Sequence, residues 1–401
     1  MFRWLGWGIA VRVLSLLLIS TLVTGCWDST EIDELAIVLA SGVDVANSSS
    51  GSQPGILGSV QIAVPRRLGT TQGGGAAPST IEPFLVETAQ GKDPVESIEN
   101  IRKKWARKLI MNHRLVVVVG EDYAKQGVRV LLDEILRNPG SRLRTSFVVG
   151  YHTDALPILK LPRILMRVPS EAIEGMEDQY GFENRSIKDF MEELTGKGDP
   201  YALGIEATPT QSKETPETFR LRNIAVFQKD KLVGWLEGKQ VTGFLWLSGK
   251  MKSGLFSLSL PNQAGTVGVT LLRSHVSREV RIVRGKPQMT IRLQVEDDVI
   301  ENGSSLDLHN PKGVTVVENV AAKAAESEMR DTLDVLQHQY HADILQFGND
   351  VYKKSPRTWH RIDKDWRDEF SKLPVQFETQ VQIRRSGLTS PNLNISEQEL
   401  R

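Results

Sequence analysis

Asp93-Pro94-Val95-Glu96-Ser97-Ile98 and, further on, His113-Arg114-Leu115-Val116-Val117-Val118-Val119-Gly120 are the two passages that decide the fold class. In the first, Asp93 can cap a helix, Pro94 suits its first position and Glu96 completes a capping box. Val95, Ile98, Ile101, Trp105 and Leu109 then recur at spacings of 3 and 4, which puts them on one helical face. In the second, 115–119 is an unbroken apolar run closed by Gly120, the composition of a buried strand. Working outward, 121–137 predicts a helix with Leu131, Ile135 and Leu136 inward, stopped by Asn138-Pro139-Gly140. Strands are expected at 35–45, 59–64, 81–88 and 146–150, and a helix at 186–194 capped by Ser186 and Asp189. This alternation predicts one mixed α/β domain reaching about residue 165.

The segment 195–218 is rich in Gly, Pro, Thr and Lys and reads as a linker. Beyond it, 221–228 and 231–236 flank Lys229-Asp230 as a hairpin. A short helix over 237–248 carries Val241, Phe244, Leu245 and Leu247. A second hairpin pairs 276–283 with 288–295, its Arg278, Arg281, Arg284 and Lys286 reading as a solvated strand face. The longest helical pattern is 318–347, with a stripe of Val320, Ala324, Leu333, Leu336, Tyr340, Ile344 and Leu345 closed by Gly348. A strand over 374–385 alternates Val375, Phe377, Thr379, Val381 and Ile383 with polar positions. The expected organisation is a removable leader, 1–25, then an N-terminal mixed α/β domain, 26–195, and a linker, 196–218. An α+β C-terminal domain, 219–388, with its long helix 318–347, and a polar tail, 389–401, complete it. The fold class is α+β: several mixed α/β domains, with helices packed on mixed or antiparallel sheets.

With 49 basic and 49 acidic residues among 401, the chain lacks the basic excess of a nucleic-acid protein. Its 40% hydrophobic content supports real cores, and its one cysteine excludes an intrachain disulfide and a Cys-rich zinc site. That cysteine is well placed. Arg3 and Arg12 form a positive N-terminal region, and 13–23 is an apolar run of 11 residues, short for a membrane span of about 20. A spanning helix here would put Arg12 near the bilayer centre, at a cost of roughly 2.5–3.5 kcal/mol. Val23-Thr24-Gly25-Cys26 follows, small residues before a cysteine, and resembles a bacterial lipobox. Such a signal implies cleavage before Cys26 and a diacylglyceryl group on its sulfur, two acyl chains that anchor stably where one is marginal.

Catalytic signatures are missing. The sequence has no G-x-S-x-G, no H-E-x-x-H and no G-x-G-x-x-G after a strand, and the glycine-rich 69–80 lacks the spacing and the lysine of a phosphate loop. His338 and His341, with Asp343 near, could share a helix face, but nothing fixes a third metal ligand, so surface histidines are the better reading. Glu296-Asp297-Asp298, beside Asn302-Gly303, reads as a turn. Trp359 and Trp366 are large anchors for a core or for an interface. The expectation is a protein that is not an enzyme and holds no metal or cofactor.

Cys26-Trp27-Asp28, Glu31-Ile32, Glu34-Leu35-Ala36-Ile37-Val38 and Gly42-Val43-Asp44 resemble the start of the mature Ger(x)C lipoproteins, the C subunits of spore germination receptors. The likeness continues in order through His113-Arg114-Leu115, Gly120-Glu121, Ile224-Ala225-Val226-Phe227 and Lys231-Leu232-Val233-Gly234-Trp235-Leu236. It ends with Asp343-Ile344-Leu345-Gln346-Phe347-Gly348, Pro356, Trp359, Trp366 and Phe370. The resemblance implies a nutrient germinant receptor subunit, lipid-anchored on the outer face of the spore inner membrane or cell membrane. Its partners would be integral-membrane A and B subunits, and its fold several α/β domains with mixed sheets and no enzymatic site. Of site residues it carries over only Cys26, as the acylated position, and it assigns no germinant contact. The rival is a solute-binding lipoprotein of an importer, which would need two similar lobes around a cleft; the second half shows no repeated strand-helix pattern. A lipid-anchored cell-wall hydrolase stands third, without a motif.

Overall fold

The computed structural model describes residues 34–46, 55–64, 83–161, 170–173, 185–209, 217–260 and 265–386. The chain runs β1 (Leu35–Val45), β2 (Ile56–Ala63), β3 (Phe84–Gly91), α1 (Pro94–Arg102), β4 (Lys108–Ile110), β5 (Val116–Val119), α2 (Glu121–Gln126) and α3 (Arg129–Arg137). It continues through β6 (Ser146–Gly150), α4 (Ala155–Leu159), α5 (Ile187–Leu194), β7 (Tyr201–Pro209), β8 (Glu217–Gln228) and β9 (Lys231–Leu236). Among the described residues these strands form one sheet in the order β3-β2-β1-β5-β6-β7-β8-β9, with β4 also paired to β1. The centre, β1-β5-β6-β7, is parallel, and antiparallel strands extend it on both sides. The four valines of β5 show why their run is unbroken. Val116 and Val118 enter one core, while Val117 and Val119 enter another on the opposite face. A strand covered on both faces has no polar side.

After β9 come α6 (Lys239–Ser248), β10 (Leu255–Ser259), β11 (Thr266–Val283), β12 (Lys286–Asn302), α7 (Pro311–Asp334), α8 (Phe347–Lys354), α9 (Pro356–Ile362), α10 (Trp366–Ser371) and β13 (Val375–Arg385). A second sheet, β10-β11-β12-β13, is antiparallel except for its last pair. The long helix α7 packs against α6 and β13. One core runs without a break from Val116 and Val118 through α4, β7, β8 and α6 to the inward face of β12, α7 and α8–α10. The fold is α+β, with helices on two mixed sheets.

Several expectations need correction. The expected linker, 196–218, carries β7 and the first residues of β8, both strands of the large sheet. Helix α1 stops at Arg102, so Trp105 and Leu109 leave its face; Leu109 joins β4 beside β1, and Val95 is 62% exposed. Pairing to β1 outweighs the helical spacing there. The helix expected at 121–137 is two, broken at Gly127 (φ 125°), and the second turns Leu132 inward and leaves Leu136 45% exposed. The long helix 318–347 instead begins at Pro311 behind an Asn310 cap, ends at Asp334 and passes into a π-helical turn, Val335–Gln339. Positive φ at His341 (48°) and Gln346 (60°) turns the chain, and Gly348 lies inside α8 rather than closing the long helix. Its inward stripe is Val317, Ala321, Ala325, Met329 and Leu333, with Val320 and Ala324 only partly buried. Glu296-Asp297-Asp298 is no turn but the middle of β12. Strands β11 and β12, 18 and 17 residues long, extend far beyond the hairpin expected. Cys26, the glycine-rich 69–80 and the tail 389–401 lie outside the described residues.

Candidate functional site

The last group of motif residues converges on a groove of about 720 Å³ where the two sheets' units meet. The tight segment Gly196-Lys197-Gly198-Asp199 leads into β7 and faces the turn that precedes α8. Neither Gly198 nor Gly348 leaves room for a side chain: a Cβ on Gly198 would lie 2.5 Å from Asp343 O, and one on Gly348 would overlap Lys197 O and lie 2.9 Å from the Trp359 ring. Asp199 and Asp343 bind each other's backbones. Asp199 N donates to Asp343 O (2.9 Å), and Asp343 N donates to Asp199 Oδ2 (3.1 Å). Lys229 N donates to the other Asp199 oxygen (2.9 Å), and Gln346 Nε2 to Asp199 O (2.8 Å). Asp343 accepts from Phe347 N (2.9 Å), Gly348 N (2.8 Å) and Trp366 Nε1 (3.0 Å). Trp366 stacks obliquely on Trp359, centroids 5.1 Å apart, and both indoles are buried.

Burial pushes both carboxyls up: Asp199 above its ordinary range, and Asp343, beside the negative Asp199, to about 7. The N–H donors oppose burial but do not overcome it. Both Asp343 oxygens are occupied by donors from the fold, so the pair ties the units together instead of offering a free nucleophile or base. The groove's rim is cationic, with Arg129, Lys197, Lys229, Lys364 and Arg367 against Asp363. Trp359, Trp366 and Phe370 give it aromatic walls.

Of the earlier motif residues, Asp44, Gly120 and Glu121 gather at the C-terminal ends of the parallel strands, the edge where open α/β sheets place their sites, whereas Arg114 lies just before the start of β5. Asp44, at the end of β1, accepts from Ala155 N (2.6 Å) and Leu156 N (3.0 Å) and so caps α4; burial raises its carboxyl to about 6. Gly120 must be glycine, since a Cβ would sit 2.1 Å from Asp44 Oδ1. Arg114, buried, donates to Ser41 Oγ (3.1 Å). Burial pushes Glu121 up, but Lys125 (3.1 Å), Trp235 Nε1 (3.4 Å) and His152 (3.1 Å) outweigh it and hold its carboxyl below the ordinary range.

Comparison with known proteins matches the chain in two consecutive parts. Residues 28–207 match the family described as "Spore germination protein N-terminal domain", and 222–387 match "Spore germination B3/ GerAC like, C-terminal". The chain belongs to the Ger(x)C family of germinant receptor C subunits. It is 27% identical over 374 residues to the putative spore germination protein YfkR of Bacillus subtilis (strain 168), covering 93% of this chain and 95% of that one. Spore germination protein KC of the same organism is 27% identical over 395 residues, with the same coverage. The crystal structure of the GerBC protein has the same fold, with a TM-score of 0.55 at 15% identity over 86% of this chain and 98% of that one. Gly42, Asp44, Gly120, Asp343, Gly348, Trp359 and Trp366, which carry the resemblance read from the sequence, all lie at closely packed junctions in this chain.

His338 and His341 are surface residues, the reading preferred from the sequence, and they do not share a helix face. His338 lies in the π turn, 3.0 Å from Asp334, and His341 follows the chain reversal, 2.8 Å from Ser371 Oγ. Among the described residues no three His, Cys, Asp or Glu side chains are grouped to hold a metal ion. Arg278, expected on a solvated basic face, turns in to donate to Leu345 O and Leu247 O (both 2.8 Å). Sequence reasoning missed Asp199, because one aspartate between Gly198 and Pro200 carries only the signature of a turn.

Proposed function

We propose that this chain is the lipid-anchored C subunit of a nutrient germinant receptor, working by assembly with integral-membrane A and B subunits rather than by catalysis. The observation that carries this reading is Cys26, the one cysteine of a Ger(x)C chain, placed directly behind a short apolar run. Diacylglyceryl on its sulfur would hold the body at the outer face of the spore inner membrane or cell membrane. None of the described helices is long and apolar enough to cross a membrane. A tether raises the effective concentration of the body near membrane partners, so modest contacts suffice for assembly. The cationic groove at the Asp199–Asp343 junction supplies one polar surface for such contacts.

The test is Cys26→Ala in the native host. The variant is expected to leave the membrane fraction, and spores carrying it are expected to behave as a deletion does, losing response to at least one nutrient. A Cys26→Ala protein that stays in the membrane fraction, or a deletion that germinates normally on every nutrient, overturns the proposal.

A further inference from the structure

Between α7 and the inward face of the second sheet lies a cavity of about 370 Å³. Trp246, Phe256, Val269, Val295, Ala324 and Val381 are among its walls. Asp297 also lines it, on an inner strand whose inward positions are otherwise Met289, Ile291, Leu293, Val295 and Val299. Its cross-strand neighbours are Leu271 and Ile383. It is 3% exposed, and its Oδ1 is buried with no hydrogen-bond partner among the described residues. Irregularities in strand pairing flank it, at Leu271/Arg273 on one side and Asp297/Asp298 on the other. Bulges of this kind re-aim side chains and recur beside binding sites. Lys239 and Glu328, which also line the cavity, carry opposite charges, so Asp297 is its uncompensated charge.

A buried carboxylate without a partner is costly, and a fold keeps such a group where it serves a ligand. The walls narrow the ligand class. A bound water needs two to four polar partners, and a hard cation such as Ca²⁺ needs about six oxygens. Polar groups of Lys239, Trp246, Ser257, Ser259 and Glu328 also line the cavity, yet none of them is within hydrogen-bond distance of Asp297 Oδ1, and they do not add up to the oxygen cage of a hard cation. An ammonium group on an apolar body meets both requirements, one end pairing with the carboxylate and the other covering Val, Ala and Phe surface. The volume sits at the lower end of small-molecule pockets, roughly 300–1,000 Å³.

We propose that this cavity is a binding site for a small primary ammonium compound with an apolar body, anchored by Asp297. The burial that lifts the Asp297 carboxyl to about 6, with the adjacent Asp298 adding to the rise, is the strain such a cation would relieve. This inference is independent of the membrane anchor.

The experiment titrates the purified full chain at pH 8 with n-butylamine and follows its melting temperature. n-Butanol supplies the same body without charge, and ammonium chloride the charge without a body. A saturable rise with butylamine is expected, and no rise with either control at the same concentration. Asp297→Asn is expected to melt no lower than the parent and to weaken butylamine binding at least tenfold, whereas Glu328→Gln retains it. Ala324→Phe, which fills the cavity, is expected to abolish the shift while the protein still melts cooperatively. No saturable shift in the parent overturns the proposal, as does equal binding by Asp297→Asn or a loss that follows Glu328→Gln instead.

Discussion

Asp343 accepts three N–H bonds, and replacing it tests what they hold. In Asp343→Asn one oxygen becomes an NH2 group, so at least one buried donor among Phe347 N, Gly348 N and Trp366 Nε1 loses its acceptor. The expected cost is about 1–3 kcal/mol of stability in urea denaturation. The same variant reports on pH. Asp343 is raised from the ordinary 3.8 to about 7, so between those values the folded chain keeps a proton that the unfolded chain has released. Stability from this group is full below about pH 3.8 and is lost as pH rises through about 7. Asp44 and Asp297, raised to about 6, share the lower part of that window. The informative interval is therefore pH 6 to 7.5, where Asp343→Asn should flatten the decline. An unchanged decline there would assign the titration to another group. At this scale the sequence was partly legible. Trp359, Trp366 and Asp343 stood out through the family resemblance, but the stacking of Trp359 on Trp366, the Trp366–Asp343 hydrogen bond and the tie from Asp343 to Asp199, 144 residues away, are set by tertiary contact, which no local pattern encodes.

Local signals worked where the chain's neighbours in space agreed with its neighbours in sequence. Asp93 caps α1 by accepting from Glu96 N (2.8 Å), and Ser186 and Asp189 form the full capping box of α5, as their spacing predicts. They failed where tertiary contact broke a helix. Gly127 takes a φ of 125°, and Val128 N then donates to Asp230 O (2.9 Å) in the β8–β9 turn, so α2 and α3 divide around a distant hairpin. The packing of α6 on α7 gives the element-scale prediction. A Cβ on Gly243 would lie 2.1 Å from Glu328 O and 2.2 Å from Thr332 Oγ1, which itself donates to Gln240 O (3.0 Å). The two helices meet here backbone to backbone, so relief requires one of them to move. Gly243→Ala should therefore lower stability despite its better helix propensity, by about 1–3 kcal/mol, as overpacking does. A variant as stable as the parent would mean that the helices do not touch at this point. Gly243→Ser, placed the same way, should be no milder.

The whole molecule is held by strands that cross the boundary its sequence suggests. The two family matches leave 208–221 between them, and the Gly/Pro-rich composition of 195–218 gives the same impression of a joint. Yet β7 pairs with β8 from Tyr201↔Val226 to Pro209↔Glu217, and β9 extends the same sheet. The core then continues past α6 into β12 and α7 without a polar seam. Composition misled because it weighs residue types along the chain, whereas the sheet is closed by pairing between β7 and β8, which the local composition does not register. A chain cut at the apparent joint would leave β7 as a bare edge, and Ile224, Val226 and Leu236 would be removed from the core they share with Val116 and Val118. Residues 26–209 expressed alone are therefore expected to be insoluble or molten, and coexpression with 217–388 should restore a folded complex. The intact chain should unfold in one cooperative step, with tryptophan fluorescence and far-UV circular dichroism giving coincident urea transitions. Two separated transitions, or a 26–209 fragment with sharp, dispersed amide resonances, would show that the large sheet closes without β8 and β9.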